Sequence, residues 1–128
     1  MRSPRIRVLL GHPEDSTADI IVRAGTRPAE HGRVVTVCAP RWRPPDGPEH
    51  QLAEAYRLAV AAANSRKAET MALPAILARG VWPLEELTRV ALTVLKSTPT
   101  TLHEVVIVAE TPAMVERWAE ALVREPSY

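Results

Sequence analysis

Short apolar runs alternate with longer amphipathic stretches along this chain. Ile6, Val8, Leu9 and Leu10 lead into Gly11 and predict a first strand over residues 5–10. Residues 12–17 form a turn by composition. Asp19-Ile20-Ile21-Val22 predicts a second strand, closed by Arg23-Ala24-Gly25 and followed by a polar connection to Gly32. Residues 34–39 are continuous and β-branched, which predicts a third strand buried on both faces. Pro40 stops it, and a Pro-rich loop containing Trp42 runs over residues 41–48.

Helical spacing dominates from there. Leu52, Ala55, Tyr56, Ala59 and Ala63 share one face of a helix that ends at Asn64 and Ser65. Residues 70–73 predict a fourth strand, closed by Pro74, before an apolar loop that reaches Trp82. Pro83 suits the first position of a second helix, whose apolar stripe is Leu84, Leu87, Val90, Ala91, Val94 and Leu95. Residues 102–109 predict a fifth strand. Thr111 suits the N-cap of a last helix opened by Pro112, with Val115, Trp118, Ala119 and Leu122 facing inward. Strands precede helices in alternation, which predicts an α/β fold. The expected sheet is mixed, mainly parallel and five- or six-stranded, with three main helices on both faces. No internal repeat or low-complexity linker divides the chain, so residues 1–128 read as one domain with a frayed tail from Arg124.

Composition narrows the function classes. The 128 residues are 46% hydrophobic and 24% charged, ordinary for a soluble domain of this size. Aromatics make up 4% with no Phe, so the core must be built from Val, Leu, Ile and Ala. A net charge of +1 supplies no basic field for nucleic acid, and Arg2, Arg5 and Arg7 read as a solvated strand start. Cys38 is the lone cysteine and reads as a buried, inert thiol, because nothing nearby lowers its pKa. His12, His31, His50 and His103 lack metal-ligand spacing. No apolar stretch reaches the roughly 20 residues of a membrane span, which makes cytoplasm the expected location. Richness in Arg, Ala and Pro suggests a GC-rich bacterial genome.

Four stretches in order resemble the macro domain family. Gly11 is followed, at the family's spacing, by Asp19-Ile20-Ile21-Val22. Val37-Cys38-Ala39-Pro40-Arg41-Trp42 is similar to the family's strand ending in Val-Gly-Pro-x-Trp. Tyr56-Arg57 stands in the helix where the family often has Tyr-Arg. Met71-Ala72-Leu73-Pro74-Ala75-Ile76, followed by Gly80-Val81-Trp82-Pro83, is the most specific match. The resemblance implies a three-layer fold that binds ADP-ribose. The ligand would lie across the C-terminal strand ends, where open α/β sheets place their crevices. It would lie against His12, Ile20, Ala39, Pro40, Ala75, Ile76, Arg79, Gly80, Val81 and Trp82.

Departures from the family pattern lie where its ligand contacts lie. His12 replaces the Asp that accepts a bond from the adenine amino group in the family. The family's Asn pair falls on Arg23 and Thr26, and residues 25–32 are too short for its glycine-rich diphosphate loop and following helix. Arg79 and Gly80 offer a remaining phosphate contact or a plain solvated loop. Trp82 either stacks on a sugar or base or plugs the space left by the missing loop. His12 is an exposed turn histidine, an adenine partner or an acid–base group. Asp19 reads as an anchor for the turn before its strand.

The expected function is therefore weak binding of ADP-ribose or a related nucleotide without turnover. Two alternatives stand beside it: a nucleotide-free module acting through protein association, and a hydrolase built around His12. No cofactor is expected. Apolar strands without the covering helix imply a homodimer or another protein partner, unless the 41–48 loop folds back over them.

Overall fold

In the computed structural model, residues 3–41, 49–78 and 82–124 are described. Arg79, Gly80, Val81, Trp42 and the 42–48 part of the Pro-rich loop lie outside them. Among the described residues, six strands and three helices follow one another. β1 (Arg5–Leu10) leads through a 3-10 turn (Pro13–Asp15) to β2 (Ile20–Gly25), β3 (Ala29–His31) and β4 (Val34–Cys38). Then come α1 (Glu49–Ser65), β5 (Thr70–Pro74), α2 (Leu84–Ser97), β6 (Glu104–Ala109) and α3 (Pro112–Arg124). The strands form one mixed sheet in the order β1-β6-β5-β2-β4-β3, parallel throughout except for the β3–β4 pair. β3 lies inside the stretch that composition reads as a polar connection. It is a three-residue, fully exposed edge strand with no apolar signal of its own.

Topology decides which face the helices cover. From β4 through α1 to β5, and from β5 through α2 to β6, the chain steps the same way across the sheet. Right-handed crossovers in one direction place their helices on one face. α3 continues in that direction and lies against β1 and β6. All three helices contribute to one core cluster with Val35, Val37, Met71, Leu73, Val105 and Ile107. The β1-to-β2 connection runs the opposite way and crosses the second face. There, among the described residues, a small cluster of Ala18, Ile21, Ala72, Val106 and Val108 is covered by residues 11–19 and their 3-10 turn. Among the described residues, the third layer of this α/β fold is thus a thin segment.

That asymmetry corrects two sequence expectations. β4 is not buried on both faces: Val35 and Val37 are buried, whereas Val34 and Thr36 are half-buried and Cys38 is exposed. Cys38 is accordingly an exposed thiol, because its side of β4 is the side without a helix. β2, in the sheet interior, does bury Ile20, Ile21 and Val22 on both faces.

Local chemistry fixes the ends of the elements. Asp19 Oδ2 accepts the backbone amides of Glu69 and Thr70 at 2.8 and 3.2 Å, tying the start of β2 to the start of β5. Thr111 Oγ1 accepts the Met114 amide at 3.2 Å, capping α3 before Pro112 takes the first helical position. Pro83 stands one residue earlier than expected, as the N-cap of α2. Asn64 closes α1 by accepting the Thr100 hydroxyl at 2.8 Å and the Thr101 amide at 3.1 Å.

Candidate ligand-binding site

The parallel strands all point one way, so the C-terminal ends of β1, β6, β5, β2 and β4 form one crest. Backbone bonds hold the chain taut there. Gly11 N–H donates to Ala109 O at 2.8 Å, Ala75 N–H to Val108 O at 3.2 Å, and Ala39 N–H to Gly25 O at 3.0 Å. The buried indole of Trp118 on α3 donates to Ala75 O at 3.0 Å, which fixes the residue after Pro74. Trp82 donates from its indole to Pro40 O at 3.3 Å, joining the loop after β5 to the loop after β4.

Two hollows open along the crest and share Pro13, Pro74 and Ile76. One is a slot of about 240 Å3 between the ends of β5 and β6. Its walls are Pro13, Pro74, Ala75, Ile76, Val108 and Met114, with Glu110 and Thr111 at the polar end. The other is a cleft of about 530 Å3 along β2, floored by Ile21, Val22 and Val34, with Arg23, Arg33 and Glu14 around it. Arg23 is exposed, and Arg33 donates to Ala18 O at 2.9 Å. An apolar slot with one polar end adjoining a cleft bearing arginines suits a ligand with a flat apolar part and an anionic part.

At the mouth, His12 Nδ1 lies 2.6 Å from Glu110 Oε1. Both side chains are exposed. The hydrogen bond to Glu110, and then that carboxylate's charge, raise the His12 pKa above its ordinary value. Tyr56 is fully buried beneath the apolar loop. Burial pushes its phenol pKa well up, and the Leu77 backbone acts in the opposite direction.

The expected site residues divide into three groups. Ala75 and Ile76 line the slot, His12 stands at its mouth, and Pro40 is held beside Trp82. Ile20 does not join them: it starts β2, at the far end of the strand from the crest, and is 1% exposed inside the main core. Ala39 is fully buried, and Trp82, 6% exposed, is part of the core cluster, so its ring packs the gap between two loops. Arg79, Gly80 and Val81 lie outside the described residues. Pro13, Glu110, Thr111 and Met114 were not expected from sequence. The rule that open sheets bind ligands beyond their strand ends points to Glu110, the residue after β6.

The family model described as Macro domain matches residues 13–91. The chain belongs to the macro domain family. Solved structures similar to this macro domain include a mutant of the Oceanobacillus iheyensis macrodomain. It is 18% identical over 95% of this chain and 93% of that one, with a TM-score of 0.79. The Trypanosoma brucei macrodomain in complex with ADP is 14% identical over 91% of this chain and 68% of that one, with a TM-score of 0.72. The Oceanobacillus iheyensis macrodomain with ADP is 24% identical over 71% of this chain, with a TM-score of 0.62, and the match spans 50% of its own length. At these identities the likeness speaks for the fold. No curated protein matches this macro domain.

Proposed function

We propose that this macro domain binds ADP-ribose or a related adenine nucleotide weakly and without turnover. The crest carries the reading: an apolar slot between β5 and β6 adjoins an arginine-bearing cleft along β2, with shared walls at Pro13, Pro74 and Ile76. Two similar macrodomains are described as ADP complexes, and the same ligand chemistry fits these two hollows. Weakness follows from what stands at the contacts. His12 holds the position after Gly11 and is already engaged with Glu110. The chain between β2 and β4 holds a three-residue strand in place of a glycine-rich loop. A hydrogen bond to a charged group contributes about 1.5–3 kcal/mol, and about 1.4 kcal/mol is tenfold in affinity, so losing one costs at least tenfold.

Turnover lacks its chemistry here. Arg23 and Thr26 supply no side-chain amide, and the His12–Glu110 pair is exposed to water. Incubation with an ADP-ribosylated protein should release no ADP-ribose. Release that disappears in His12→Ala would instead establish the hydrolase.

A second reading has its own observation. The second sheet face carries Leu9, Arg23, Thr36 and Cys38 with no helix among the described residues over them. A face of that kind supports protein association without any nucleotide. Both readings keep the chain in the cytoplasm, where the exposed thiol of Cys38 stays reduced. No helix among the described residues is long and apolar enough to cross a membrane.

A further inference from the structure

β1 is an outer strand: it pairs with β6 on one side, and among the described residues no strand pairs with its other side. Its backbone has a definite polarity. The amides of Arg5 and Gly11 donate toward β6, to His103 O and Ala109 O. Alternate residues of a strand point their N–H and C=O groups to the same side. Arg5, Arg7 and Leu9 therefore face β6, whereas Ile6, Val8 and Leu10 present both groups to the open edge.

Natural edges of this length are usually blunted by charged side chains, a bulge, a proline or a covering loop, and of these β1 has only the charges of Arg5 and Arg7 among the described residues. β1 has six residues in unbroken register, its Arg7 is engaged with Glu104 at 3.0 Å, and two of the exposed large apolar side chains, Leu9 (43%) and Leu10 (59%), stand on it, one on each face. We propose that β1 pairs antiparallel with β1 of a second copy across a two-fold axis perpendicular to the sheet, joining two six-stranded sheets into one.

The strand's own sequence selects the register. A perpendicular two-fold keeps each face on its own side, so directly opposed residues must face the same way. The axis then passes through a residue position. Centred on Val8, it opposes Val8 to Val8, Ile6 to Leu10 and Arg7 to Leu9. All three pairs whose backbones face the edge become hydrogen-bonded pairs, two bonds at each. Centred on Arg7 it would set two arginines against each other, which is destabilising, and would satisfy fewer edge groups. Centred on Leu9 it would also leave Ile6 unpaired. The Val8 register places no like charges opposite, covers exposed Leu10 with Ile6, and lays the Arg7 stem on Leu9. α3 lies against β1, so the two copies of α3 flank the joint on the helix side. This joint is independent of the crest and of any nucleotide.

Sedimentation of the full chain across the micromolar range tests it. The expected mass is twice the 14.1 kDa of one chain. Leu10→Pro removes an amide that faces only the open edge, a substitution edge strands tolerate, and should give a folded monomer. Leu9→Lys places a cation against the partner's arginine at an exposed position and should do the same, with an unchanged circular dichroism spectrum. A wild-type chain of monomeric mass at every concentration would overturn the proposal. So would a dimer that persists in both variants, because its contact would then lie elsewhere.

Discussion

His12 and Glu110 meet at 2.6 Å although 98 residues separate them in sequence. Their pairing turns an exposed turn histidine into one whose pKa is raised by its partner's carboxylate. The sign of the linkage follows from that direction. Because the folded value lies above the unfolded one, the pair's contribution is complete below the unfolded pKa, about 6.5. It is lost as pH rises through the raised folded value. An NMR titration of the His12 ring should give a pKa above the ordinary value, and Glu110→Gln should bring it back. An unshifted His12 in the wild type would remove the pair from solution. Glu110 was not legible in the sequence, because nothing local announces that residue 110 reaches residue 12. The same holds for Trp118, whose apolar spacing predicts burial but not its bond to Ala75 O.

At the scale of elements, the amphipathic stripe of α1 makes a contrast that can be measured. Leu52 is fully buried beneath the helices, while Leu58 on the same helix is 41% exposed. Leu52→Ala should cost about 2–5 kcal/mol in urea unfolding, from lost transfer energy and the cavity left behind. Leu58→Ala should stay within about 0.5 kcal/mol, as surface substitutions do. Comparable losses at both would mean that α1 packs differently. The elements that periodicity predicts are those with their own apolar signal: five strands and three helices stand where Val, Ile, Leu and Ala recur at strand or helix spacing. β3 was hidden because three exposed residues bonded to β4 carry no such signal. Cys38 was misplaced because a β-branched run shows that a strand is in a sheet, not whether a helix covers each face. That depends on the direction in which the connections cross, a property of the whole topology.

The whole molecule is a sheet dressed by helices on one side and by a thin segment on the other. The crest joins the two sides, since Pro13 and residues of the β1-to-β2 connection wall the same hollows as Pro74 and Ile76. Among the described residues, the chain joining β2 to β4 adds only the short edge strand β3, so it supplies no helix over the second face and little backbone around the cleft. A retained slot with thinned surroundings predicts retained but weakened nucleotide binding. Isothermal calorimetry with ADP-ribose, on the wild type and on Ile76→Arg, tests this most directly. Ile76 walls both hollows and is only half-buried, so the arginine can be accommodated while obstructing the ligand. The account predicts micromolar or weaker binding by the wild type and its loss in Ile76→Arg. Sub-micromolar binding, or affinity unchanged by Ile76→Arg, would contradict it.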